Sequence, residues 1–171
     1  MNINGSGKQL LSPSGRSYSS PSVSPDGKLI SFVSNDWNGG QIFVMNADGG
    51  NAKQLTFTVN SKYFDTGFPR EGNFGAVWSP NSSRMAYISY ESGNPDIFVM
   101  NSDGTNKKRL TNNSLRDEYP SWTKDGQYIL FSSNRDVTLS SEIYIMRTEG
   151  QLQTPLTHYI ADDIHPLFIS R

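Results

Sequence analysis

Short, largely apolar segments recur along the chain, and turn-forming residues separate them. The segments lie at residues 29–33, 42–45, 85–88, 97–100, 128–131 and 143–146. Because successive side chains of a strand point to opposite faces, apolar residues at consecutive positions predict strands that are covered on both sides. This pattern favours small sheets stacked face to face over a sandwich with one wet face.

The same segments belong to a unit that occurs three times. Ile-Phe-Val-Met-Asn is identical at 42–46 and 97–101, and Ile-Tyr-Ile-Met stands at 143–146. In each unit we predict four antiparallel strands, A to D, with short Asp-Gly, Asn-Ser or Glu-Gly turns between A and B and between C and D. We call each four-stranded unit a blade. The predicted layout is an outer strand and linker at 1–20, blades at 21–56, 76–111 and 120–157, an inserted loop at 57–75, a loop at 112–119, and a loop with an inner strand at 158–171.

Both ends of the chain repeat parts of the unit. Residues 8–11 resemble 53–56 of strand D, which aligns Leu10 with Leu55, and residues 165–169 resemble 119–123 of strand A. We therefore predict an all-β propeller portion with three complete blades plus two terminal strands. Propellers close with about four to eight blades. We expect the chain to be a homodimer that completes the ring by association, or a fragment of a longer propeller.

Composition removes several function classes. Fifteen Lys and Arg against sixteen Asp and Glu give a net charge of −1, so no broad field attracts nucleic acid or an anionic membrane. The absence of cysteine excludes disulfides, thiolate-bound zinc and a cysteine nucleophile. No apolar run is long enough for a membrane helix, and residues 1–7 do not have the pattern of a secretory signal.

The repeated motifs carry a family resemblance. Ser24-Pro25-Asp26-Gly27, the Ile-Phe-Val-Met-Asn strand, the following Asp-Gly turn and the terminal Leu-Thr resemble the repeat of TolB-like (WD-like repeat) β-propellers. The resemblance implies a non-catalytic protein-interaction scaffold, periplasmic or extracellular, that binds an envelope protein. The repeat also resembles the propellers of prolyl-oligopeptidase-like serine peptidases and of carbohydrate-active enzymes such as oligogalacturonate lyase, and both remain alternatives.

The connections opposite the short turns vary most between units, and we predict that they form the partner-binding face. Loops on a rigid scaffold often carry function, and aromatic and arginine side chains are enriched at interaction hot spots. An alternative is that the aromatic residues of 57–75 fold back as a satellite cluster. The candidate binding residues are Trp37, Tyr63, Phe64, Phe68, Arg70, Tyr90, Arg135 and Tyr159.

Acidic residues precede two of the predicted A strands. Asp117, Asp162 and Asp163 offer oxygen ligands for a divalent cation such as calcium, although the spacing is not that of a dedicated calcium loop. Capping of nearby backbone amides explains the same pattern and is the favoured interpretation, so we expect no cofactor. The chain has no nucleophile elbow, phosphate loop or zinc-helix motif, and we expect it not to be an enzyme.

Overall fold

Three small antiparallel sheets make up the regular structure. The computed structural model describes residues 6–7, 9–11, 17–36, 39–57, 72–136, 140–158 and 162–167. Each sheet is a four-stranded meander, β1–β4 in blade 1, β5–β8 in blade 2 and β9–β12 in blade 3, which confirms the predicted all-β blades. The strands are β1 Ser17–Val23, β2 Leu29–Asp36, β3 Gly39–Asn46, β4 Lys53–Gln54, β5 Asn73–Trp78, β6 Arg84–Ser89, β7 Asp96–Asn101, β8 Lys108–Arg109, β9 Asp117–Trp122, β10 Tyr128–Ser133, β11 Glu142–Arg147 and β12 Thr154–Pro155. Among the described residues, no helix is long and apolar enough to cross a membrane.

The first strand of each blade begins three or four residues before the predicted blade start. The reason is a bulge in the pairing of the first and second strands, which interrupts the alternation that a sequence pattern can detect. One residue of each bulge takes a positive φ: 52° at Ser20, 60° at Gly75 and 56° at Tyr119.

Apolar side chains fill both junctions between blades. In β6, Met85 and Tyr87 pack toward blade 1, whereas Ala86 and Ile88 pack toward blade 3. Both faces of blade 2 are therefore buried, as the consecutive apolar residues predict. Each large side chain buried in this way contributes about 1.5–3 kcal/mol.

A tryptophan at the end of a first strand ties each blade to the one before it. The indole Nε1–H of Trp78 donates to the Ser22 carbonyl at 3.1 Å, and that of Trp122 donates to the Val77 carbonyl at 3.1 Å. The corresponding residue of blade 1 is Val23, which is 59% exposed. The contact therefore runs in one direction along the chain.

A leucine after each fourth strand makes a second directional contact. Leu55 packs so closely on the Gly104 turn of blade 2 that a Cβ there would lie 3.1 Å from its Cδ2. At Gly150 of blade 3 the backbone of Leu110 makes the equivalent approach, because a Cβ there would lie 2.9 Å from the Leu110 carbonyl oxygen. Leu156 occupies this position after β12 and is 53% exposed, whereas Leu55 is only 2% exposed.

The N-terminal segment supplies the corresponding leucine for blade 1, but in a different register from the predicted one. A Cβ at Gly49 would lie 3.1 Å from Cδ2 of Leu11, so Leu11 takes the place that Leu55 takes one blade later. Leu10, which the sequence aligns with Leu55, is 78% exposed. The two adjacent leucines made the alignment ambiguous, and packing against the glycine turn selects the second. Residues 9–11 also form no strand, so the predicted outer strand is not observed in this segment.

The C-terminal segment repeats the start of a first strand. His165 has a φ of 56°, the same as Tyr119 in blade 3. The Asp163 N–H donates to the Ser141 carbonyl at 2.7 Å, as the Asp117 N–H does to the equivalent carbonyl one blade earlier. Residues 162–167 are not a strand, in contrast to the predicted inner strand, because no second strand pairs with them within the described part of the chain.

The turns between first and second strands are short and closed by one side chain. In blade 1, the Asp26 carboxylate accepts from the Ser24 hydroxyl at 2.6 Å and from the Lys28 N–H at 3.2 Å. In blade 2, Asn81 makes the same pair of bonds with Ser79 and Ser83. Asparagine and aspartate are therefore equivalent in this turn.

Candidate binding face

A buried polar residue lies at or near the start of the third strand of every blade and anchors the loops on that side: Asp96 and Glu142 are the first residues of their strands, and Gln41 is the third. In blade 2, Thr111 Oγ1 accepts from the Ile97 N–H at 2.9 Å and lies 3.2 Å from Asp96 Oδ1. The same bonds are made by Thr56 with Gln41 in blade 1 and by Thr157 with Glu142 in blade 3. The connections between the second and third strands of each blade, and those between one blade and the next, leave the sheets on this side, which we call the loop face. These loops therefore start from a fixed layer of polar residues.

The polar layer of blade 2 contains a fully buried carboxylate. Asp96 pairs with Arg109 at 2.7 Å and also accepts from the Ser92 hydroxyl. Burial raises the pKa of the Asp96 carboxyl above its ordinary value, although Ser92 and Arg109 act in the opposite direction. The chain tolerates a charge here because an arginine and two hydroxyls compensate it.

Arg135 and Asp117 form an internal ion pair in blade 3. Arg135 Nη2 lies 2.9 Å from Asp117 Oδ1, and the other carboxylate oxygen accepts from Asn113 Nδ2 at 2.5 Å. The guanidinium carbon lies 4.7 Å from the centroid of the Tyr144 ring. The structure thus packs Arg135 against residues of its own blade, with its side chain 18% exposed, and its predicted partner contact remains untested. Asp117, one of the candidate cation ligands, is fully buried in this pair.

Tyr90, another predicted binding residue, lies half-buried at the rim of the loop face. Its ring packs edge-on against Phe74, with 6.3 Å between centroids, and its hydroxyl lies 3.4 Å from the Glu118 carboxylate. Tyr90 therefore links two blades and presents only part of its surface to a partner.

The two aspartates near the C-terminus have different environments. Asp162 Oδ1 accepts from the Ser141 N–H at 2.8 Å, which is the capping contact that the sequence favoured. Asp163 Oδ2 is buried, and among the described residues it has no hydrogen-bond partner. In the described ranges, no three Asp, Glu or His side chains gather as a metal site would require. The expectation that the chain holds no cofactor, and the alternative of a bound calcium ion, are both untested.

A pocket of about 260 Å³ opens beside these aspartates. Ser132 and Ser140 line it and are almost fully buried, and no described residue forms a hydrogen bond with either hydroxyl oxygen. Sequence reasoning missed both residues. A signal was present for Ser132, because blades 1 and 2 carry Val33 and Ile88 at this position of the second strand. The pocket is lined by Arg116, Glu118, Tyr119, Ser132, Asn134, Ser140, Ser141, Asp162 and Ile164.

The other predicted binding residues lie outside the described part of the chain. They are Trp37, Tyr63, Phe64, Phe68, Arg70 and Tyr159.

Comparison with known proteins decides the family. Residues 67–159, just over half of the chain, match the model of the TolB beta propeller domain. The chain belongs to this family. The Tol-Pal system protein TolB of Anaeromyxobacter dehalogenans is 32% identical over 70% of this chain and 25% of the relative. The chain spans less than half the length of the curated relatives that it matches first.

Solved structures extend the comparison of this TolB-family chain. The putative TolB from Agrobacterium tumefaciens aligns with a TM-score of 0.67 at 24% identity, over 84% of this chain and 47% of the other. A puromycin-hydrolyzing peptidase of Mycobacterium tuberculosis aligns with a TM-score of 0.69 at 15% identity, over 90% of this chain and 24% of the peptidase. At these identities the likeness shows the propeller fold alone.

Proposed function

We propose that this TolB-family chain is a non-catalytic module that binds an envelope protein through its loop face. Membership of the family and the relatives named as Tol-Pal system proteins support a role in protein interaction. The resemblance of the repeat supports a location in the periplasm.

The observation that carries the proposal is the contrast between fixed anchors and variable connections at the loop face. Every blade has a buried polar residue bonded to a threonine at or near the start of its third strand, so the ends of these strands are held alike. The connections that leave these ends differ in length and sequence in every blade. A rigid base with variable loops is the arrangement that many binding proteins use for recognition.

The test compares two faces of the same molecule. Immobilised full chain is exposed to solubilised envelope proteins, and bound proteins are identified after cross-linking by mass spectrometry. One variant replaces residues 58–71 with a short Gly-Ser linker, and a control carries Asp26→Asn in the opposite turn face. We expect the loop variant to lose at least tenfold of the captured partner and the control to retain it. Equal capture by both variants, with both folded, would refute the loop face as the binding surface.

A second candidate function is the propeller of a larger serine peptidase. The similarity of fold to the puromycin-hydrolyzing peptidase favours it. The genomic sequence on either side of the coding region tests this alternative. A hydrolase domain with a Gly-x-Ser-x-Gly elbow in the same reading frame would support it, and a stop codon without such a domain would support the binding module.

A further inference from the structure

We propose that the pocket lined by Ser132 and Ser140 binds a guanidinium group, supplied by an arginine side chain of the partner protein. The source of the arginine rests on the proposed function, whereas the chemistry of the pocket is argued from its own residues.

The pocket presents buried oxygen atoms that lack partners. Ser132 and Ser140 are 3% and 4% exposed, and neither hydroxyl oxygen has a hydrogen-bond partner in the part of the chain that the structure describes. Asp163, which lies in sequence between the lining residues Asp162 and Ile164, also has a buried Oδ2 that finds no hydrogen-bond partner among the described residues. Buried polar atoms without partners are costly, so a ligand that donates hydrogen bonds is favoured. A guanidinium group has five donors and no acceptor.

The charge of the lining also selects a cation. Glu118 and Asp162 contribute two carboxylates, and Arg116 contributes one positive charge. Arg116 is already paired with Glu118 at 2.9 Å. Together with Asp163, the acidic groups at the pocket outnumber the basic ones. A bound cation would neutralise part of this excess negative charge.

The aspartate equivalent to Asp163 at the start of blade 3 already binds a guanidinium group. Asp163 corresponds to Asp117, because both precede a residue with a φ of 56° by two positions and both donate their N–H to the same backbone position of the preceding blade. The carboxylate of Asp117 is paired with the guanidinium of Arg135 at 2.9 Å. The chain therefore contains a guanidinium bound to the equivalent aspartate.

The surroundings fit a planar guanidinium better than a metal ion. No group of three acidic or histidine side chains suited to a metal lies among the described residues. The pocket instead includes Tyr119, which is 36% exposed and packs its ring against that of His165, with 3.8 Å between the ring centroids. The guanidinium of Arg135 lies over the ring of Tyr144 in the same fold. Arginine combines bonds to a carboxylate with stacking on an aromatic ring, which lysine does less well.

The experiment uses a defined probe on the full chain. Acetyl-Gly-Arg-Gly-amide is titrated into the ¹⁵N-labelled protein, and the same peptide with citrulline, a neutral isostere of arginine, is titrated separately. We expect saturable shifts of the backbone amides of Ser140, Ser141 and Asp163 with the arginine peptide and at least tenfold weaker binding of the citrulline peptide. Equal binding of the two peptides, or no shift at these amides, would overturn the proposal.

Two substitutions that the chain itself uses elsewhere serve as variant and control. Asp163→Asn introduces the residue found as Asn73 at this position of blade 2, and Asp26→Asn introduces the residue found as Asn81 in the equivalent turn. Both remove one negative charge. We expect Asp163→Asn to weaken binding of the arginine peptide at least fivefold and Asp26→Asn to leave it unchanged. The same effect from both would mean attraction by net charge alone and would refute a specific site.

A second variant tests the pocket without altering charge. Ser132→Val introduces the residue that blade 1 has at this position, so the fold accommodates it. We expect it to fill part of the pocket and abolish the peptide-induced shifts, while the thermal midpoint is kept or raised. Retained binding by this variant would contradict the location of the site.

The outcome is separable from that of the proposed function. If an envelope protein is captured equally by the wild-type chain and Asp163→Asn, the module function stands and the arginine assignment fails. If the arginine peptide binds but no envelope protein is captured, the pocket chemistry stands and the module function fails. Sedimentation of the wild-type chain as a dimer, and of Asp163→Asn as a monomer, would assign the arginine to a second copy of this chain. That result would overturn its assignment to a different protein.

Discussion

Single residues with left-handed backbone conformation occur at equivalent positions in the turns of the three blades. In the second turn of each blade, the same position is occupied by Asn51, Asn106 and Leu152, with φ values of 56°, 53° and 57°. Asparagine tolerates this conformation because its side chain bonds locally, whereas leucine meets a steric cost. Leu152 is also 67% exposed, so it gains little from burial.

We expect Leu152→Asn to stabilise the chain by about 1 kcal/mol, because the substitution relieves the unfavourable φ and loses little apolar contact. Equilibrium urea denaturation measures the change. The reverse substitution at the equivalent position, Asn106→Leu, is the matched control and should destabilise by a similar amount. If both variants shift the midpoint in the same direction, backbone conformation is not the cause.

At the scale of strands and turns, each blade is joined to the next by contacts between different elements. The leucine after one fourth strand packs on a glycine in the following blade, and a tryptophan donates a hydrogen bond back to the preceding first strand. The leucine contact requires close approach to the backbone of the glycine turn. The glycines of the second turns therefore serve packing as well as turn geometry.

Two glycines separate these roles. Gly27 has a φ of 73° and open space where a Cβ would lie, whereas a Cβ at Gly150, with a φ of 90°, would lie 2.9 Å from the Leu110 carbonyl oxygen. We expect Gly27→Ala to cost about 1 kcal/mol from backbone strain alone. Gly150→Ala should cost about 1–3 kcal/mol more, because it also pushes two blades apart. Urea denaturation checks both, and equal losses would show that the junction can relax.

The sequence predicts most of the strands and turns. The predictions that were wrong or missing have local physical causes. The apolar strands and Asp-Gly turns predict the blades because burial and turn chemistry are short-range signals. Leu10 and Leu11 are indistinguishable by type, and only contact with Gly49 separates them. Arg135 resembles a surface hot spot in sequence, since nothing local reveals that Asp117 lies within reach. The pocket beside Ser132 could not be predicted, because residues distant in sequence form it. The sequence does show that Ser132 replaces an apolar residue of the repeat.

At the scale of the whole molecule, the three blades have unequal surroundings. Blade 2 is covered on both faces by apolar clusters, whereas blades 1 and 3 each share one cluster with it. In repeat proteins, stability is approximately a sum of the units and the interfaces between neighbours. The middle blade therefore has the larger share of interface energy.

We expect amide hydrogen exchange to be slowest in β6 and β7 and faster in the second and third strands of blades 1 and 3. Opening of an outer blade breaks one junction, but opening of blade 2 breaks both. Hydrogen-exchange mass spectrometry with peptides from each blade measures the order. Uniform protection across all three would show instead that the chain opens as one cooperative unit.

The directional contacts of tryptophan and leucine give the chain two unlike ends. A two-fold axis through either end would set Leu156 against Leu156, or Val23 against Val23, and neither pairing reproduces a junction found inside the molecule. Copies that associate through these ends can repeat the internal junction only in a head-to-tail order. Such an arrangement either closes into a ring or grows into a filament, and the rotation between blades decides which.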